Sequence, residues 1–155
     1  MTTPRRSQDD RHRPPRPRAL GSRVICVAHG QLLLVRHVDP PTGEEYWLPP
    51  GGGRERGETL AACAVREVFE ETGLAVRVIR RLRVPADAPS VTYGLFLATP
   101  VTHQEAAPIV DLSVERYLRG AAWHPITPDQ PLGPLQAHFW GYLRPLLKRL
   151  ASGWE

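Results

Sequence analysis

The chain has 155 residues, 41% of them hydrophobic, and no apolar run near the roughly 20 residues that a bilayer span requires. That size fits one domain with a real core, and the N-terminus shows no apolar stretch after its charges that would read as a secretory signal, so a soluble, cytoplasmic protein is expected. The net charge of +4 and pI near 9.6 suggest nucleic acid, but six arginines against Asp9 and Asp10 in residues 1–19 account for the whole excess.

Residues 1–19 combine Arg, Pro, Ser and Asp with almost no apolar content. Such a segment buries too little surface to offset its ordering entropy and is expected to be disordered. Residues 20–155 then form the single folded domain. The tail is read as a solvated segment of no specific role, or as a weak contact for RNA or another polyanion through its arginines.

Residues 24–28 are apolar and β-branched, His29-Gly30 reads as a turn, and residues 31–36 return as an apolar run, the pattern of a β-hairpin. Residues 39–43 read as a loop, and residues 44–48 lead into a second turn at Pro49-Pro50-Gly51-Gly52-Gly53. Residues 59–72 lack Gly and Pro and predict a helix, with Thr59 as N-cap and Gly73 as its stop. Strands are expected over residues 74–84, 91–101 and 121–126. A last helix is expected within residues 132–150, kinked or divided at Pro145. Cys26 and Cys63 have no ligand spacing and read as small core residues.

The chemistry concentrates in residues 52–74. On a helix, residues three and four apart share a face, so Glu67, Glu70 and Glu71 project to nearly one side. Three ionised carboxylates that close repel one another, and some take up protons unless a cation intervenes. Oxygen-only ligands of this kind suit Mg²⁺ or Mn²⁺. Glu58 precedes the helix and can fold back toward the cluster, and Arg66 is the helix's one basic residue. A solvated acidic face is the plain alternative. Against it stand the missing lysines and a glycine-laden approach that lets backbone come near a metal or phosphate.

The stretch spells Gly52, five residues, Glu58, seven residues, Arg66-Glu67-Val68, one residue, Glu70-Glu71, one residue, Gly73-Leu74. It resembles the Nudix box at each defining position. Trp47-Leu48-Pro49-Pro50 and Trp123-His124-Pro125-Ile126 are similar to the flanks of that box in relatives. The resemblance implies an α/β fold, an α/β/α sandwich around a central mixed sheet, with the box as a loop-helix-loop. It also implies a divalent-metal hydrolase that directs water at one phosphorus of a diphosphate in a nucleoside diphosphate linked to another group.

Carried over by position, Glu67 and Glu71 would be the principal metal ligands, and Glu70 a further ligand or a contact to metal-bound water. Glu58 would join through an additional ion, and the Gly51 carbonyl is a ligand in relatives. Arg66 would orient a glutamate. Glu67 and Glu70 are candidates for the general base within the box; outside it Glu105, Asp111 or Glu115 could reach in, with Glu115 nearest the place relatives use. Gly52, Gly53 and Tyr93 are carried as substrate-binding candidates, although an aromatic on a strand is more simply core. Two prolines before three glycines, where relatives often show one before two, change loop shape more than chemistry.

Two other readings accompany the nucleotide pyrophosphohydrolase. One is a Nudix-fold sensor that binds nucleotide or RNA without turnover, and the other is an enzyme acting on RNA 5′ ends. The group attached to the diphosphate and the oligomeric state, a homodimer included, stay open at this point.

Overall fold

The computed structural model describes residues 20–83, 93–106 and 117–126, with residues 145, 146, 148 and 149. The expectations for the tail, for Asp111 and Glu115, and for most of the last helix lie outside these residues. Among the described residues, seven strands and one long helix follow in the order β1 (Gly21–Ala28), β2 (Gln31–Val38), β3 (Glu45–Leu48), β4 (Gly51–Gly53), α1 (Leu60–Thr72), β5 (Val76–Leu82), β6 (Tyr93–Pro100) and β7 (Leu118–Pro125).

The expected hairpin is present. His29 (φ 50°) and Gly30 (φ 70°) both take positive φ, the backbone twist that a two-residue connection between antiparallel strands needs. Pairing of β1 with β2 is confined to the end beside this turn, Val27 with Leu32 and Ala28 with Gln31. Beyond it the strands part. β1 runs parallel to β6 from Gly21 to Cys26, with β5 antiparallel on the outer side of β6. β2 instead takes β3 and β7 as antiparallel neighbours. The sheet is therefore mixed, as expected, and it forks at β1 and β2.

The glycines after Pro50 do not turn. Gly51–Gly53 form β4, paired with the start of β1 through Arg23–Gly51, Ser22–Gly52 and Gly21–Gly53. This short strand fills the side of β1 that β2 has left. Local composition suggested a turn, but a partner about 30 residues upstream draws the segment into the ladder. The last strand likewise begins earlier than expected, at Leu118, because it pairs along nearly the whole of β2.

Alternation along the strands separates two cores. Val24, Cys26, Leu33, Phe96 and Ala98 face α1, where they meet Ala64 and Val68. Ile25, Leu32, Leu34, Leu95 and Leu97 face the other way and pack with Leu146 of the C-terminal helical residues. Each fully buried aliphatic side chain contributes roughly 1.5–3 kcal/mol by leaving water. Both cysteines are free and buried, and burial pushes the Cys26 thiol up to about 12, in keeping with a core role.

The helix begins and ends where its caps dictate. Thr59 Oγ1 accepts the Ala62 N–H at 3.1 Å, and Gly73, left-handed at φ 74°, donates its N–H to the Phe69 carbonyl at 2.8 Å. Its buried stripe includes Cys63, Ala64 and Val68, and at the C-terminal end Glu71 and Thr72. A buried glutamate on the face that meets the sheet marks where packing gives way to the site.

Candidate active site

The fork between β1 and β2 opens a cleft of about 440 Å³. α1 contributes Glu67, Glu70 and Glu71 to it, and β4 contributes Gly51 and Gly52. Arg23 of β1, His37 of β2 and Tyr46 of β3 line the strand side, together with the exposed Tyr117 and the buried Leu118. Helical spacing thus delivers the three carboxylates to one place, as the sequence implied.

Each carboxylate is held differently. Glu71 Oε1 accepts the Gly51 N–H at 2.8 Å, which ties the end of α1 to β4. Glu67 lies where a side chain at position 52 would otherwise be. A Cβ on Gly52 would approach the Glu67 Cδ to 2.5 Å, so only glycine leaves room for the carboxylate against the strand. Glu70 is the most open of the three, with 40% of its side chain exposed against 14% for Glu67.

Arg66 fastens the cluster from behind. Its Nε and Nη2 donate to the two oxygens of Glu58 at 2.7 and 3.0 Å, a bidentate pair. Nη1 donates to Glu67 Oε1 at 2.9 Å and to Glu70 Oε2 at 3.2 Å, and Nη2 also reaches the Gly53 carbonyl at 2.9 Å. Glu58 therefore folds back toward the helix as expected, but it meets Arg66 rather than lining the cleft. The Arg66 pair, aided by the Glu55 N–H, holds the Glu58 carboxyl down to about 2. Burial raises the Glu67 carboxyl, and the Arg66 hydrogen bond opposes that rise.

Among the described residues no three acidic, histidine or cysteine side chains already converge as a formed metal cage. The reason is visible in the contacts: Glu67 and Glu70 turn toward Arg66, and Glu71 toward Gly51. The donor set nevertheless fits a hard cation. Three carboxylates border one cleft with no sulfur among its lining groups, and the most exposed of them has room to turn inward.

Tyr93 and Gly53 stand just outside the cleft lining. Tyr93 lies under the Arg23 guanidinium, 5.4 Å from ring centroid to Cζ, and Gly53 serves Arg66 through its carbonyl. Several cleft residues were not singled out by sequence, and two of them, Arg23 and His37, are basic. Arg23 donates to the Pro49 carbonyl at 3.0 Å and brings a positive charge to the wall opposite the carboxylates. Its signal was a lone arginine at the head of an apolar strand. His37 stacks on Tyr46 and lies with Nε2 3.8 Å from Glu71 Oε2, and among the described residues that buried nitrogen has no hydrogen-bond partner. Burial, then the charge of Arg23, lower its pKa to about 4, so the ring is neutral at pH 7.

Gly52→Ala tests the close approach. The added methyl must displace the Glu67 carboxylate or β4, and turnover is expected to fall about 10²-fold with a smaller loss of thermal stability. Steady-state rates equal to those of the unsubstituted protein would show that the Glu67 placement has no part in the chemistry.

The NUDIX domain family matches residues 15–135. An RNA pyrophosphohydrolase of Photobacterium profundum is 39% identical over 59 residues, which is 38% of this chain and 32% of that protein. Phosphatase NudJ of Escherichia coli is 39% identical over 56 residues, 35% of each chain. The matched segments thus cover about a third of these relatives' own length. In three dimensions, a NUDIX hydrolase from Nitrosomonas europaea superposes with a TM-score of 0.63 at 21% identity, over 88% of this chain and 73% of that one.

Proposed function

The chain belongs to the NUDIX domain family, and from that membership we propose that it is a metal-dependent hydrolase of a diphosphate linkage in a nucleoside diphosphate bearing a second group. The observation that carries this reading is the convergence of Glu67, Glu70 and Glu71 with Gly51 and Gly52 on one cleft, with Arg66 locked behind them.

Glu67 and Glu71 would hold the cation, Mg²⁺ or Mn²⁺, with Glu70, the Gly51 carbonyl and, through a further ion, Glu58. Bound there, it would neutralise charge on the phosphate oxygens and lower the pKa of water. The protein's own groups account for the rest. Arg23 faces the phosphate oxygens from the strand side and fixes the diphosphate against the cleft wall. Water attacks one phosphorus, the bridging P–O bond breaks, and a monophosphate leaves. Glu67, which borders the cleft, takes the water's proton. Glu70 and Glu115 are the alternative bases. Gly52 and Gly53 let the protein backbone lie close to the substrate, and Tyr93 supports the site through Arg23. A cytoplasmic setting suits such a substrate.

A second reading is favoured by the name of one relative, an RNA pyrophosphohydrolase: the diphosphate would belong to an RNA 5′ end. The test is a panel of diphosphate compounds, comprising nucleoside diphosphates linked to sugars, dinucleoside polyphosphates and a 5′-triphosphorylated oligonucleotide, each with Mg²⁺ and with Mn²⁺. Release of a monophosphate or pyrophosphate from at least one class is expected. Inactivity across the whole panel, with nucleotide binding retained, would replace the hydrolase with a sensor.

A further inference from the structure

We propose that a second site, at the outer edge of the sheet, binds the phosphodiester backbone of single-stranded nucleic acid. It is independent of the diphosphate chemistry and uses none of the cleft residues.

The domain's neutral sum hides a separation of charge. Glu55, Glu58, Glu67, Glu70 and Glu71 gather around Arg66 and the cleft. β5 and the residue after it carry Arg77, Arg80, Arg81 and Arg83, with no acidic residue anywhere from 72 to 86. These four arginines are exposed, and none makes an ion pair among the described residues. Among those residues β5 has a strand on one side only, so its other edge faces outward.

A bulge turns this strand into a pocket wall. Val76 and Val78 pack toward α1, and strict alternation would send positions 80 and 82 the same way. The register shifts between Val78 and Arg80, so Leu82 instead joins Leu95 and Leu146 in the opposite core. Arg80, two residues from Leu82, moves with it. Arg80 and Arg83 then border a pocket of about 270 Å³ that Arg149 closes from the C-terminal helical residues, while Arg81, also at its edge, lays its guanidinium over Phe96, 5.9 Å from the ring centroid. Its floor is Leu82, Leu95 and Leu146.

Charged residues often blunt an exposed sheet edge against pairing with other chains. Edge protection gives no reason for arginines from two separate elements to border one cavity, whereas anion recognition gives one. Guanidinium groups pair with phosphate oxygens through two parallel hydrogen bonds. From Arg77 to Arg83 the strand extends about 20 Å at ~3.3 Å per residue, enough to follow several phosphates in a row. A single strand can place a base against the leucine floor, which a duplex cannot do.

The test is fluorescence anisotropy with a labelled oligouridylate of about 12 nucleotides ending in a 5′-hydroxyl, within the site sizes such proteins cover. That end offers no diphosphate to the cleft. The full chain is used throughout, so that any contribution of residues 1–19 cancels between variants. Arg80→Gln/Arg149→Gln is expected to bind about tenfold more weakly at moderate salt. Its plot of log affinity against log salt should be shallower by about 1.4, for two lost phosphate contacts. Arg83→Gln, an exposed single change that spares the fold, should lessen the slope by about 0.7. Unchanged affinity and slope in both variants would overturn the proposal. So would displacement of the oligomer by inorganic pyrophosphate at equal phosphate concentration, which would mark a site for one small anion.

Discussion

Glu67→Gln and Glu71→Gln are each expected to lower turnover by at least about 10²-fold, which corresponds to ~2.7 kcal/mol in the barrier, while the protein stays folded. Glutamine matches glutamate in shape and keeps a carbonyl oxygen. At position 71 that oxygen continues to accept the Gly51 N–H, and at position 67 it continues to accept from Arg66. The hydrogen bonds that hold the site together therefore survive. What disappears is one negative charge in a cleft that needs it to hold a divalent cation, and at position 67 the base as well. Turnover with Mg²⁺ and with Mn²⁺, measured beside a thermal melt, separates the two effects. Full activity in both variants would remove these carboxylates from the mechanism. A collapse of the melt would instead assign them a structural role.

Arg66→Ala should be the more disruptive change for the assembly of the site. It leaves Glu58 without its bidentate partner and removes the one cation shared by Glu67 and Glu70. The freed carboxylates then repel one another. A drop in melting temperature and a loss of turnover of about 10²-fold are expected. Divalent cation, by offsetting that repulsion, should raise the melting temperature of the variant more than that of the unsubstituted protein. Arg66→Lys should recover only part of both, because an ammonium cannot span the two oxygens of Glu58 while also reaching the Gly53 carbonyl.

The same pair sets an acid dependence. Arg66 holds Glu58 down to about 2 against an ordinary 4.5, so the stabilisation is complete above pH 4.5 and is lost as pH falls toward 2. Arg66→Ala should lose that portion of the acid transition. A melt-versus-pH profile identical in the two proteins would show that the Glu58 contact contributes nothing to stability.

Much of the site was legible in the sequence because a helix is written locally. The threonine before the run and the glycine after it set the ends of α1, and three- and four-residue spacing put Glu67, Glu70 and Glu71 on one face whatever the rest of the chain did. The first hairpin was legible as well, as two apolar runs on either side of His29-Gly30. The match to a family pattern at residues 52–74 named the chemistry to expect, and membership in that family bears out the fold.

Strand partners were another matter, since they are chosen across long separations. Gly51–Gly53 carries every local mark of a turn and is nevertheless a strand, because the fork leaves one side of β1 open for it. The fork also brings Arg23 and His37, 14 residues apart on strands that have already parted, to the same cleft as the carboxylates. No spacing rule foretells that. Nor does one foretell the bulge that carries Arg80 to the face of Leu146 and Arg149. The amino-acid sequence by itself determined the helix, its caps and the carboxylate face, which rest on hydrogen bonds between near neighbours. Only the tertiary structure decided which strands, and so which arginines and histidine, surround that face, because each of those choices is a competition among distant partners for the same unpaired edge.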